Sequence, residues 1–343
     1  MDMSNNKNGG QILEDLSTSY WLSEALFTAL ELDLFEIIEK NGQEISVVTL
    51  ASQLSCSCQA LSRYLALLIE LELLSGSSDS ICLNDLSRTY LLKTSPLYQG
   101  DIIRWRQNMA ADWQTLFDVL RCGKRTNFLE YDDEELENRR YQYIQAMDNV
   151  AQLKATECAN LIKDFSGEIL DVGCGSGAMS LSFMGRFPKC IATLLDIEQI
   201  LPQTRKFVAK SPFNNQIIYH SANILEKDWH LDHSYDLIIL SNILHAYSEN
   251  EVSHILATAK QLLNEDGQLL IHDFFMEHNP VKARLSDINM LLNTYNGKVF
   301  SAHWVIEQLQ SLSLFTSDLV PLKTDTAVIL ASRKEIKNTV VSD

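Results

Sequence analysis

The first apolar positions of the chain fall into a helical rhythm. Between Ile12 and Glu39, Leu22, Ala25, Leu26, Ala29 and Leu30 form one stripe. Tyr20, Trp21, Phe27, Leu34, Phe35, Ile37 and Ile38 widen it to most of the circumference. A helix that is apolar nearly all round has to be covered on several sides. A small helical domain covers it poorly alone, so a second copy of the chain is the expected lid; the competing cover is the second domain. Ile45 to Leu68 then reads as helix, turn and helix, with Ser57 as N-cap of the second helix. Leu73-Leu74, a Gly76–Asp79 turn and Ile81–Leu83 predict a small β-hairpin. Trp105, Trp113 and Phe117 continue at helical spacing, and the acidic run Asp132 to Glu135 reads as a solvated face or loop. A long helix is expected from Tyr143 towards Ile162.

Beyond residue 167 the rhythm changes to short apolar runs separated by amphipathic stretches. The runs predict strands at Glu168–Val172, Ile191–Asp196, Gln216–His220, Tyr235–Ser241 and Gln268–Asp273. Helices are expected near 178–187, 199–209 and 249–263. Such alternation predicts an α/β fold with a parallel sheet. The end differs. Leu314–Leu322 and Thr326–Ser332 are joined by Lys323-Thr324-Asp325, too short for a crossover helix, so they must pair as an antiparallel hairpin.

Charge narrows the partners. The 343 residues carry a formal net charge of −17, which argues against nucleic acid and anionic membranes. The helix-turn-helix and hairpin resemble a winged helix, yet Arg63 is the only base between Gln59 and Leu74. A recognition helix needs several. A dimerisation scaffold is the better reading. The first ten residues are polar and hold no apolar signal core, the richest apolar run is broken by Glu70 and Glu72, and residues 1–9 are expected to be disordered. Seven irregularly spaced cysteines fit reduced thiols in the cytoplasm. His230 and His233 lack a completing cluster, so no metal is expected.

The chemistry gathers at Asp171-Val-Gly173-Cys-Gly175-Ser-Gly177-Ala178. Glycine permits the turn's positive backbone angles and lets a ligand lie against the main chain. About twenty residues on, a buried strand ends in Asp196, placed to accept hydrogen bonds from a ribose diol. With Ala178 the motif reads as a dinucleotide fingerprint. With Asp171 it resembles motif I of the class I S-adenosylmethionine (SAM) methyltransferases, and the terminal hairpin favours that Rossmann-like sheet. Ligands of such sheets bind outside the carboxyl ends of the strands. Those ends supply Gly173 and Gly175, Asp196 and Ile197, Asn223 and Ile224, Ser241 and Asn242, His245 and Asp273. Asn223 is placed to bond an adenine edge and Ile224 to pack on its face.

Tyr235 to His245, followed by Tyr247 to Glu251, resembles motif IV of the plant phenolic O-methyltransferases and acetylserotonin O-methyltransferase. The resemblance spans nearly the whole chain. It implies SAM as cofactor, S-adenosylhomocysteine as product, a homodimer built on the N-terminal domain, and His245 as general base. It implies Asp273 as the group that orients His245, although Asp is one carbon shorter than the Glu of plant enzymes. Met147 and Met290 match methionines flanking the acceptor ring, and Trp113 and His303 are further acceptor candidates. Three departures stand out: Ala246 follows His245 where the family has Asp, Ala302 falls near a second orienting Glu, and Val150 replaces a polar residue. The implied acceptor is a hydroxyl on a small aromatic or heteroaromatic ring, of a bacterial secondary metabolite or a cofactor precursor, not a lignin phenylpropanoid.

The expected division is a helical, winged-helix-like dimerisation domain over 1–110 and a methyltransferase domain with bridging helices over 111–335, with 336–343 as a frayed tail. Three other readings stay open: N- or C-methylation of a small molecule, a SAM-binding regulatory protein without catalysis, and an NAD-dependent oxidoreductase.

Overall fold

The computed structural model describes residues 9–42, 44–77, 79–126 and 132–335. The expectations for residues 1–8 and for the 336–343 tail lie outside the described residues. The chain divides into two compact units, the first ending at Asn108 and the second beginning at Met109.

The first unit holds α1 (Gly9–Thr18), α2 (Tyr20–Glu31), α3 (Leu34–Lys40), α4 (Val47–Gln53), α5 (Cys58–Glu70), α6 (Asp85–Tyr90) and α7 (Gly100–Asn108). A hairpin of β1 (Ser75–Ser77) and β2 (Ser80–Cys82) follows α5. Ser57 caps α5 by accepting the Ala60 N–H. The helix expected over 12–39 is three helices. It breaks at Ser19 and at Leu32–Asp33, where Asp33 adopts a left-handed φ of 47°. That break is held from far along the chain. Lys93 Nζ donates to Asp33 at 2.8 Å, and Arg104 donates to both Asp33 and the Leu30 carbonyl. The buried stripe begins at Ala25, one turn later than expected. Ala29, Leu34, Phe35 and Ile38 enter a core with Leu50, Leu65, Leu68 and Ile81. Leu22, placed in that stripe by its spacing, is instead more than half exposed, as are Leu13, Leu16, Tyr20 and Trp21.

The second unit opens with α8 (Ala110–Gln114), α9 (Leu116–Cys122) and the 28-residue α10 (Asp133–Asn160). The acidic run is the start of α10. Asp132 and Glu135 form a reciprocal capping box, and Asp133 and Glu134 sit in the first turn, where the helix dipole favours negative charge. The sheet comprises β3 (Glu168–Val172), β4 (Ile191–Asp196), β5 (Ile217–Ser221), β6 (Tyr235–Ser241), β7 (Leu263–Asp273), β8 (Phe315–Thr316), β9 (Val320–Pro321) and β10 (Ala327–Ser332). Between them run α11 (Ala178–Arg186), α12 (Leu201–Val208), α13 (Glu249–Gln261), α14 (Pro280–Asn293) and α15 (Ala302–Ser311).

The strand order is β5-β4-β3-β6-β7-β10-β8, with β9 also on β10. β3 to β7 pair in parallel; β10 is antiparallel to all its neighbours. Both faces are covered, which is why the strands read as unbroken apolar runs. Leu170, Ile238 and Leu240 pack on one face with Val252, Ile255 and Leu256 of α13. Ile169, Leu237 and Ile239 pack on the other with Cys158 of α10 and Phe183 of α11. The strand expected over Leu314–Leu322 is split. From Thr316 to Val320 is four residues, while the partners Ala331 to Val328 span three, so one extra residue forms a bulge. Ser317 Oγ fills the interruption by accepting the Leu330 N–H at 3.0 Å.

Candidate active site

The chain reverses direction across the sheet at β3, which has β4 on one side and β6 on the other. The crevice at such a switch point is where open α/β sheets bind ligands. The glycine loop closes it tightly. Gly173 and Cys174 N–H groups both donate to the Leu195 carbonyl, at 2.8 and 3.1 Å. Gly173 has a φ of 68°, and a Cβ there would stand 2.5 Å from Ile243 Cδ1. Gly175 has a φ of 54° and a different surrounding: the nearest atom to an added Cβ is Ile144 Cδ1, at 4.0 Å. Its backbone is therefore open to a ligand. Gly177 caps the N-terminus of α11.

Asp196 ties this loop to the next strand end. Its Oδ2 accepts the Gly175 N–H at 2.9 Å and its Oδ1 accepts the Ile197 N–H at 2.8 Å. Burial raises the carboxyl, against the pull of those two donors. Each oxygen keeps a lone pair for a diol. Asp171 plays a different part from the one its motif position suggests. It is buried, and its Oδ2 accepts from Ser180 Oγ at 2.8 Å and Ser180 N at 3.3 Å. It braces β3 to α11, and burial pushes its pKa up to about 6.

Ile197 is exposed beside Asp196, and Asn223 turns its Oδ1 to the Leu225 N–H at 3.1 Å. Ile224 is a core residue: it is 5% exposed and its carbonyl takes the Trp229 indole N–H. Ser241 Oγ meets His272 Nδ1 at 2.8 Å, and His272 Nε2 meets Thr326 Oγ1 at 2.8 Å. Burial first, then the Lys154 charge, lowers the His272 pKa to about 3, so it stays neutral. Asn242 turns the chain out of β6 with a φ of 52°. Its Oδ1 is buried without a hydrogen-bond partner among the described residues. An ammonium or hydroxyl of a ligand would satisfy that oxygen. With the open Gly175 backbone and the Asp196 acceptors, the crevice fits an amino-acid nucleoside.

His245 follows in a short 3-10 turn, Leu244–Ala246. Its Nδ1 lies 2.5 Å from Asp273 Oδ1, at the end of the adjacent β7. An ionised carboxylate only accepts, so Nδ1 carries the proton and Nε2 presents a lone pair. Asp273 also accepts the Phe274 N–H at 2.7 Å and the His245 backbone N–H at 3.3 Å. Burial would raise its carboxyl; the adjoining His245 imidazole and the Phe274 N–H outweigh that and hold it below the usual range. The shorter side chain reaches because the turn brings the His245 backbone to the same carboxylate.

The acceptor candidates divide. Trp113 Nε1 donates to Asn289 Oδ1 at 3.2 Å, beside Met290 on α14, and α14 packs on both α8 and the His245 turn. Met147 is half-buried on α10. His303 is misplaced by its spacing. Ala302, Val305 and Leu309 face the core, so the 3.6-residue period turns His303 outward, 79% exposed and paired with Glu307 at 3.0 Å. Ala302 supplies no carboxylate; its N–H donates to Glu277. Tyr143 had no motif to announce it, and Tyr247 stood in the His245 motif without an assigned role. Tyr143 on α10 and Tyr247 after the His245 turn both have phenols raised by burial and then by the Asp196 charge. Tyr143 is 42% exposed, so it is its hydroxyl that the protein desolvates.

Residues 113–311 match the family model of an O-methyltransferase domain, and residues 14–93 match an O-methyltransferase dimerisation domain. The chain is 26% identical over 304 residues to acetylserotonin O-methyltransferase of Bos taurus, covering 83% of this chain and 87% of that one. It is 24% identical over 302 residues to 3-hydroxy-5-methyl-1-naphthoate 3-O-methyltransferase of Streptomyces sahachiroi, covering 85% and 86%. In structure it is similar to human N-acetylserotonin methyltransferase in complex with SAM, at a TM-score of 0.83 and 22% identity over 96% and 99% of the two chains.

Proposed function

The chain belongs to the O-methyltransferase family, and on that premise we propose that it moves the methyl group of SAM to a hydroxyl of a small aromatic or heteroaromatic acceptor. S-adenosylhomocysteine is the second product. Acetylserotonin, the hydroxynaphthoate and 3-amino-4-hydroxybenzoate, for which a further relative from Streptomyces cremeus is named, all carry such hydroxyls. Asp196 would hold the ribose, the Gly175 backbone would lie against the cofactor, and Asn242 Oδ1 would accept from its amino group. Bound there, SAM supplies an electrophilic methyl on a sulfonium.

The observation that carries the reading is the 2.5 Å contact between His245 Nδ1 and Asp273. A phenol has a pKa of about 10 and is a weak nucleophile near neutrality unless its proton leaves during attack. Asp273 fixes the tautomer with Nε2 free to take that proton, and it stabilises the imidazolium that results. Met147, Trp113 and Met290 would hold the acceptor ring.

The N-terminal unit would pair two chains. The dimerisation-domain match and the exposed Leu13, Leu16, Tyr20, Trp21 and Leu22 support this. All seven cysteines are free, which fits a reducing compartment such as the cytoplasm. No described helix is long and apolar enough to cross a membrane.

The test is methyl-labelled SAM with N-acetylserotonin, 3-hydroxy-5-methyl-1-naphthoate and 3-amino-4-hydroxybenzoate. Methyl ether formation supports the reading. Cofactor turnover that labels only nitrogen or carbon overturns the choice of oxygen, and absence of turnover in this panel and a wider hydroxyarene screen overturns catalysis.

A further inference from the structure

Lys154 lies seven residues beyond Met147, on the same side of α10, and is 4% exposed. A buried ammonium needs a counter-ion, and Asp325 Oδ1 supplies it at 3.0 Å from the turn between β9 and β10. Burial would raise the Asp325 carboxyl; the Lys154 charge and hydrogen bond outweigh that. The same ammonium stands 5.0 Å over the centroid of the Phe274 ring. Phe274 touches both members of the pair that would carry the chemistry. Its N–H donates to Asp273, and its ring meets the His245 imidazole edge to face, with centroids 5.6 Å apart and planes at 65°.

Stability alone gives no reason for a charge here. Well-packed apolar side chains of similar volume serve a buried site as well as an ion pair or better. Orientation does give a reason. The bond from Nδ1 to Asp273 anchors one corner of the imidazole and leaves the ring free to tilt about it. A second contact is needed to aim Nε2, and Phe274 is that contact. A cation over an aromatic face holds the ring in turn.

We infer that Lys154, with Asp325 as its counter-ion, is a positioning residue that seats Phe274 against His245 and so sets the direction of Nε2. The inference rests on the reading of His245 as general base. It adds a layer to the site that α10 and the β9–β10 turn share, since Met147 and Lys154 lie on one helix.

The test uses the full-length protein with histidines labelled at Cε1, the His245 line being identified by its loss in His245→Gln. Lys154→Met combined with Asp325→Leu replaces the pair with apolar side chains and leaves no buried lone charge. The His245 line should move by more than its width, and kcat with the best acceptor of the three above should fall roughly ten-fold or more, as a small misorientation costs. SAM affinity and acceptor KM should stay within about three-fold, because neither site is touched. Phe274→Leu, which removes the ring and leaves the ion pair, should give the same signature. Lys154→Arg should keep kcat within about three-fold, because a cation still stands over the ring. If the double variant or Phe274→Leu folds with an unmoved His245 line and wild-type kcat, the pair is a structural brace and the inference falls. If His245→Gln itself keeps wild-type kcat, the base assignment fails instead.

Discussion

Asp196 Oδ2 accepts the peptide N–H of Gly175 across the mouth of the sheet, 2.9 Å away and twenty-one residues along the chain. One carboxylate thus shapes the glycine loop and offers its remaining lone pairs to a ligand. Asp196→Ala removes both functions. It should weaken SAM by about 1.5–3 kcal/mol, roughly 10–150-fold, the range for hydrogen bonds to a charged group. Isothermal titration checks this. Unchanged affinity would mean the cofactor lies elsewhere.

Two buried groups make opposing demands on pH. His272 has a pKa of about 3 in the fold against an ordinary 6.5, so only the unfolded chain takes up its proton as pH falls below 6.5. That costs stability. Asp171 has a pKa of about 6 against 3.8, so between those values the folded chain takes up the proton first. That adds stability as pH falls, which disappears as pH rises through 6. Each contributes about 1.4 kcal/mol per pH unit between pH 6 and 4, with opposite sign. Asp171→Asn removes one side of the balance. Its unfolding free energy in urea should drop relative to wild type by about 1.4 kcal/mol per unit over that window. Parallel curves would contradict the burial of Asp171.

The exposed side chains of α1 and α2 predict the oligomeric state. Leu13, Leu16, Tyr20, Trp21 and Leu22 are each more than half exposed on a lone chain, an apolar load that a partner would cover. Sedimentation should show a dimer at micromolar concentration, and Leu16→Asp with Trp21→Asp should give a monomer. A wild-type monomer would remove the proposed interface.

His303 tests the correction to the acceptor site. With its ring at the surface and paired with Glu307, His303→Ala should change kcat/KM by less than about two-fold. A ten-fold loss would return it to the site.

What could be read in the sequence follows from what is local. The glycines, Asp196, His245 and Asp273 sit at ends of strands buried on both faces, and such strands announce themselves as unbroken apolar runs. The break at Asp33 was hidden because Lys93 and Arg104, sixty and seventy-one residues away, hold it. Tyr143 and Lys154 were hidden because α10 is largely polar, and its inward face is chosen by what packs on it. His303 was drawn inward by its place beside Ala302, while the phase of α15 turns it out. Ile224 follows a strand end as a ligand residue would, but Trp229 folds back over it.

The central claim is that His245, held by Asp273, takes the acceptor's proton. The most direct measurement is single-turnover methyl transfer at saturating SAM and acceptor. His245→Ala should bind SAM normally and lose about 10²–10⁴ in rate, the contribution of a positioned general base. The loss should shrink as pH rises towards the acceptor's own pKa, since solvent then removes the proton. A His245→Ala enzyme within a few-fold of wild type at neutral pH would show that positioning alone drives the reaction, and the base assignment would be withdrawn.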